Sequence, residues 1–297
     1  MEKVFLSDYG PKVSPAVYGF YRWKYEENAT PRKMECIVNL CLELGINTFD
    51  HASFYGSYQC ESVFGELMNK KSFRREDIVL FTKCGYQSPH ASQPGVRVTH
   101  FNTSGQQIIK SAEESLRKLN TDYIDIFLLD HLDPISNIEE TAYALLQLKE
   151  AGKVKHIGVA NFSVFQHQLL ASYLATPIVT NHIELNLLNT AALDNGQVDY
   201  IKQRYMRPLA SSPLAGGRIA HGNDEVAERV RQKLQEIATT HQVNFESIAV
   251  AWLVKIGALP LIGTTDEQRI RNVASAFQVT LDHQEWYALY NAARGEI

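Results

Sequence analysis

The segment IDIFLLDHLDP, residues 124–134, decides how the chain folds. Its opening run IDIFLL is apolar at every position but Asp125, with no alternation of apolar and polar side chains. A strand of that kind has both faces buried, which is the condition of a strand inside a parallel sheet covered by helices. IVLFTK, residues 78–83, has the same character. Working outward, strand-like runs recur at 16–19, 46–49, 78–83, 123–129, 155–159, 178–181, 207–211 and 259–262, eight in all, with longer amphipathic stretches between them. That rhythm predicts repeated βα units and a parallel sheet.

The intervening stretches carry helix punctuation. Thr30-Pro31 places proline at a first helical position, with Ile37, Cys41 and Leu44 as the apolar stripe that follows. Ser104 with Gln107, and Ser136 with Glu139, have capping-box spacing. Gly152 is placed for a left-handed cap. Asp224 opens a helix with Val226, Val230, Leu234 and Ile237 on one face, and Asn244 and Gly257 bracket the apolar helix FESIAVAWLVKI. No Pro/Gly/Ser-rich linker interrupts the series, so residues 1–297 are expected to form one domain. A doubly wound sheet is the alternative, but it announces a dinucleotide site with GxGxxG after its first strand, and that motif is absent. The expected fold is therefore α/β: a (β/α)8 TIM barrel of parallel strands. Residues 4–13, with Asp8-Tyr9-Gly10-Pro11 at the centre, predict a β-hairpin ahead of it.

Composition narrows the function. The chain is 45% hydrophobic and 21% charged, with a formal net charge of -4 and no long basic run, which argues against a nucleic-acid partner. No window has the length and hydropathy of a signal peptide or membrane span. Cys36, Cys41, Cys60 and Cys84 lack CxxC spacing, and the ten histidines form no HxxxH or HxH cluster, so no metal is expected. Scattered cysteines fit reduced thiols in a cytoplasm, and with no heptad run the default state is a monomer.

In a parallel barrel, function collects where strands end at the C-terminal face. Asp50 closes INTFD, Lys83 closes IVLFTK, and Asp130-His131 closes IDIFLL. An Asp, a Lys and a tyrosine such as Tyr55 meeting at a barrel mouth suit carbonyl reduction. Hydride delivered to a carbonyl carbon builds negative charge on oxygen, which needs a proton. A phenol has an ordinary pKa of about 10. An adjacent ammonium is expected to make it more acidic, and a carboxylate keeps that ammonium charged and oriented. Each residue alone has an ordinary structural reading, as a turn, a half-buried aromatic or a strand terminus; their joint placement carries the functional one.

The segment FDHASFYGSYQCESVFGELM, residues 49–68, resembles the signature of the aldo-keto reductase superfamily, especially its bacterial YdhF-like branch. FTKCG, LLDHLDP, IGVANFS, NHIELN, PLASSPLAGGR and LIGTTDEQRIRNV follow in the family's order over nearly the whole chain. The resemblance implies NADP(H)-dependent reduction of an aldehyde or ketone, with Tyr55 as proton donor, Lys83 as its activator and Asp50 as the partner of Lys83. It further implies that Asn161 holds the nicotinamide carboxamide and that Arg269 holds the 2′-phosphate, its guanidinium suiting a dianion. Gly263 and Thr264 line the same phosphate region. Gly19, Tyr21 and Leu214 are placed along the cofactor, and Tyr21, Trp23 and Phe54, just beyond strand ends, are candidate walls of a carbonyl-substrate pocket.

Three positions depart from the family pattern. Asp130 stands where the family has His, and His131 comes one residue later. An offset of one residue in a strand sends a side chain to the opposite face, so His131 is a stand-in only across a bulge. Asp130 either weakens activity, donates a hydrogen bond as a protonated carboxyl, or repels the developing oxyanion as a carboxylate. His182 replaces the usual Gln, and Ser211 an aromatic that stacks on the nicotinamide. The alternative function is accordingly an NADP(H)-binding sensor or impaired enzyme on the same barrel. A sugar isomerase or aldolase barrel lacks the metal cluster or supported lysine it requires.

Overall fold

The computed structural model describes residues 1–24 and 30–295. Eight parallel strands close into a barrel: β3 (Val17–Gly19), β4 (Thr48–Asp50), β5 (Val79–Cys84), β8 (Ile124–Asp130), β9 (Val154–Ala160), β10 (Ile178–Glu184), β11 (Leu209–Ser211) and β12 (Leu259–Ile262). Closure runs through Leu261 opposite Val17 and Ile262 opposite Tyr18. All eight coincide with the runs expected from the sequence. The differences lie at their ends: β8 extends one residue further, to Asp130, because Asp130 still pairs with Ala160 of β9. Every residue of β8 is buried, as its unbroken apolar run requires.

The hairpin is also present. β1 (Val4–Phe5) pairs antiparallel with β2 (Lys12–Val13), Val4 opposite Val13. It turns Leu6 and Val13 onto Val17, Phe81, Ile126, Val179, Leu209 and Leu259, closing the barrel floor with apolar side chains. Burying such side chains contributes about 1.5–3 kcal/mol each. A second small ribbon, β6 (Tyr86–Gln87) with β7 (His100–Phe101), lies in the long connection after β5.

The helices cover the barrel as expected, with one shift of cap. Thr30 accepts from the Lys33 amide, and Asp224 and Asn244 cap their helices as predicted. Ser136 does not cap the helix Ile138–Glu150; Asn137 does, accepting from the Glu139 and Glu140 amides. The Ser136 hydroxyl is drawn instead to the Asp133 carboxylate at 2.5 Å, which also turns back on the Ile135 amide. At Ser104 only half of the box forms: its hydroxyl accepts from the Gln107 amide, but the Gln107 side chain turns to Ser111. Among the described residues no helix is long and apolar enough to cross a membrane.

Candidate active site

Neighbouring strands bring the first two polar ends together. With β4 and β5 paired so that Asp50 stands opposite Phe81, the Lys83 side chain reaches back to Asp50. Its Nζ lies 2.7 Å from both carboxylate oxygens, 3.0 Å from the His51 carbonyl and 2.9 Å from the Tyr55 hydroxyl. These acceptors use all three protons of the ammonium. Asp50 is 0% and Lys83 3% exposed, so the pair is held in a low dielectric.

Tyr55 arrives from a turn that few sequences adopt. Gly56, Ser57 and Tyr58 are consecutively left-handed, with φ of 57°, 55° and 68°. At Gly56 a Cβ would stand 2.4 Å from the Cys60 sulfur, so glycine is required. Left-handed Ser57 and Tyr58 are strained, on the order of 1 kcal/mol each. The turn points the Tyr55 hydroxyl at Lys83, with its own proton toward Asp50 Oδ2 at 3.4 Å.

The net shift at Tyr55 is upward, so the acidifying effect expected of Lys83 is outweighed. Burial raises the Tyr55 pKa well above its ordinary value, and the Asp50 and Asp130 charges raise it further. Lys83 donates to the phenolic oxygen at 2.9 Å, a contact that favours the phenolate, but the opposing effects are larger. The phenol holds its proton firmly at neutral pH.

Asp130 ends β8, 8% exposed. Burial pushes its carboxyl upward, but the hydrogen bond from His131, the Lys83 charge and the Asn161 amide outweigh it, and the net shift is down. That direction favours the ionised form over a protonated carboxyl. The backbone at His131 has φ of 59°, so the extended-strand rule stops applying there, and both Asp130 and His131 line the same cavity. Nδ1 of His131 lies 2.8 Å from Asp130 Oδ1 while its ring stacks on Phe101 at 4.3 Å. Asn161 Nδ2 donates to the same oxygen at 2.8 Å. Gly85 makes the approach of β5 and β8 possible: a Cβ there, at φ 118°, would meet the Asp130 carbonyl at 2.4 Å.

The cavity above these groups has a volume of about 620 Å³. It runs from Tyr55, Lys83, Asp130, Asn161 and His182 past Gly19, Tyr21, Phe54, Ser211 and Leu214 to Gly263, Thr264 and Arg269. Asp50 lies behind Lys83 and does not reach the wall. Trp23, expected as a wall residue, is 1% exposed and outside the cavity; its indole donates to the Tyr18 hydroxyl at 3.0 Å. His182 is 5% exposed and kept neutral by burial, which lowers its pKa to about 4. Its Nε2 is buried without a hydrogen-bond partner among the described residues. The Ser211 hydroxyl donates to the Ile183 carbonyl at 3.2 Å.

At the far end, Arg269 Nε donates to Glu246 at 2.6 Å, and Asn272 holds the other carboxylate oxygen at 3.0 Å. The Asp266 carboxylate occupies the amides of Gln268 and Arg269 at the helix start. Sequence reasoning missed Glu246, which lies 23 positions from Arg269 on another helix. It also missed Tyr86, Gly216 and Gly217, which line the cavity; the Gly-Gly pair was the one available signal.

The fold is thus a closed parallel barrel with a buried Asp-Lys-Tyr cluster at its C-terminal mouth. The model of the aldo/keto reductase family matches residues 17–293, and the chain belongs to that family. It is an oxidoreductase by that membership. It is 36% identical to a 6-dehydroglucose reductase of Agrobacterium fabrum, covering 100% of this chain and 99% of the relative. It is 34% identical to the oxidoreductase YdhF of Escherichia coli, covering 99% and 98%, which bears out the expected branch. Among solved structures, the glycerol dehydrogenase AKR11B4 of Gluconobacter oxydans shares the fold with a TM-score of 0.87 at 20% identity, covering 99% of this chain and 96% of that one. None of these comparisons favours the sensor alternative.

Proposed function

We propose that this protein reduces an aldehyde to an alcohol with NADPH, Tyr55 giving the proton to the carbonyl oxygen. One observation carries the reading: Lys83 Nζ touches Asp50 at 2.7 Å and the Tyr55 hydroxyl at 2.9 Å on the wall of a ligand-sized cavity. The residues present fit a nicotinamide dinucleotide. His182, whose buried Nε2 has no partner among the described residues, lines the cavity with Asn161, whose amide nitrogen is tied to Asp130, leaving its oxygen for a carboxamide N–H. Arg269 waits at the far end for a phosphate, its Nε fixed by Glu246 and its two Nη groups unclaimed by that bond. NADPH, when bound, supplies the hydride.

The chain's own residues manage the charge. The carbonyl oxygen receives the Tyr55 proton as negative charge develops on it. Lys83, already seated on the phenolic oxygen, stabilises the phenolate left behind, and Asp50 holds Lys83 in place. Because burial keeps the phenol protonated, the donor is loaded at neutral pH. Relatives named 6-dehydroglucose reductase, from Agrobacterium fabrum and Novosphingobium aromaticivorans, favour a sugar-derived aldehyde. The reading includes one domain over the whole chain and a cytoplasmic monomer with its four cysteines free.

The test is Tyr55→Phe. A general acid contributes about 100- to 10,000-fold to rate, so NADPH oxidation over an aldehyde panel should fall by that range. NADPH affinity, followed by fluorescence titration, should persist. Undiminished turnover refutes the assignment.

A further inference from the structure

The carboxylate of Asp130 is half engaged. Its Oδ1 accepts from both Asn161 Nδ2 and His131 Nδ1, each at 2.8 Å. Among the described residues no donor reaches its Oδ2, and the residue lines the cavity. Its surroundings are packed: His131 is stacked on Phe101, and the Asp130 carbonyl lies close against Gly85. What remains is a hydrogen-bond acceptor on the cavity wall. Its charge is felt at the Tyr55 hydroxyl, so it belongs to the neighbourhood where the carbonyl oxygen is protonated.

A carbonyl oxygen gaining negative charge is repelled by such a group, whereas a hydroxyl is drawn to it. The two sides of the site therefore separate by chemistry. Tyr55 and Lys83 present protons to the carbonyl oxygen, and Asp130 presents a lone pair to something that donates. We infer that Asp130 is a specificity-determining residue that accepts a hydrogen bond from a hydroxyl beside the substrate carbonyl, so that hydroxyaldehydes are the preferred substrate class. This rests on the proposed aldehyde reduction and adds to it a requirement on the substrate.

The prediction concerns a ratio. With saturating NADPH, kcat/KM is measured for lactaldehyde and for propanal, which differ by the one hydroxyl. A hydrogen bond to a charged acceptor is expected to favour lactaldehyde by about 10- to 100-fold in the unaltered protein. In Asp130→Ala the ratio should fall to about one, and in Asp130→Asn, which keeps the shape and loses the charge, it should lie between. Taking the ratio within each variant cancels any loss of cofactor affinity caused by freeing Asn161. Propylene glycol should likewise inhibit more strongly than propyl alcohol in the unaltered protein and not in Asp130→Ala. Equal kcat/KM for the two aldehydes in the unaltered protein, or an unchanged ratio in Asp130→Ala, overturns the inference while leaving aldehyde reduction standing. Absence of turnover on both aldehydes, and on a wider panel, overturns the reduction reading itself and this inference with it.

Discussion

Replacing Lys83 with Met tests the buried ion pair in isolation from any reaction. Methionine keeps the length of the side chain and removes its charge. Asp50, 0% exposed, then loses a partner 2.7 Å from each of its oxygens and, among the described residues, retains the Tyr55 hydroxyl at 3.4 Å. Leaving one member of a buried pair uncompensated costs about 3–5 kcal/mol. Asp50→Asn strands the ammonium instead, at a smaller cost, since Lys83 keeps the His51 carbonyl and the Tyr55 oxygen. The double variant Lys83→Met with Asp50→Asn removes both charges, and replacing a whole buried pair is often close to neutral. It should therefore be no less stable than Lys83→Met alone, with a coupling energy of at least about 2 kcal/mol. Urea unfolding followed by tryptophan fluorescence, with slopes checked for constancy, gives the four stabilities. The Lys83→Met deficit should also shrink as pH falls, because a stranded carboxylate is relieved by taking a proton. A double variant whose loss equals the sum of the two singles refutes the reasoning.

Three further outcomes are expected. Burial holds His51, His167 and His182 neutral, the last two down to about 4, while an unfolded imidazole takes its proton near 6.5, so their stabilising contribution is complete above that pH and is lost toward 4. Each costs about 1.4 kcal/mol per pH unit across that window, and a urea midpoint that does not move between pH 7 and pH 5 would rule this out. Arg269→Ala should weaken NADPH binding by about tenfold or more, the worth of a charge-assisted hydrogen bond, and NADH binding little; it is best paired with Glu246→Gln so that no buried carboxylate is stranded. Equal losses for both cofactors, in fluorescence titrations, would show that Arg269 does not read the 2′-phosphate. Gly65→Ala would drive a Cβ to 2.0 Å from the Lys118 carbonyl and separate two helices. Overpacking of this kind costs about 1–3 kcal/mol, so an unchanged Tm would contradict the packing.

The candidate site was legible wherever a residue's role follows from where its strand ends. Asp50 and Lys83 close apolar runs, and adjacency of β4 and β5 in a barrel brings them together. Residues on loops were not legible in the same way. Trp23 and Phe54 both follow strand ends, yet Phe54 lines the cavity and Trp23 turns into the core, because a large aromatic serves either environment. His131 defeated a rule about strands by leaving the strand conformation at that residue.

The sequence by itself determined the barrel, its eight strands, the floor hairpin and the family. Burial of both strand faces writes an unbroken apolar run that needs no knowledge of neighbours, and the segment FDHASFYGSYQCE is local to one strand and its turn. Only the tertiary structure decided the electrical state of the site. Whether Tyr55 is made more acidic or less depends on the sum over Lys83, Asp50, Asp130 and the surrounding apolar volume, and that sum gives a firmly held proton. Whether Asp130 is charged depends on donors from His131 and Asn161, the latter 31 positions away. Charge is long-ranged and desolvation depends on every group packed nearby, so neither can be read along the chain.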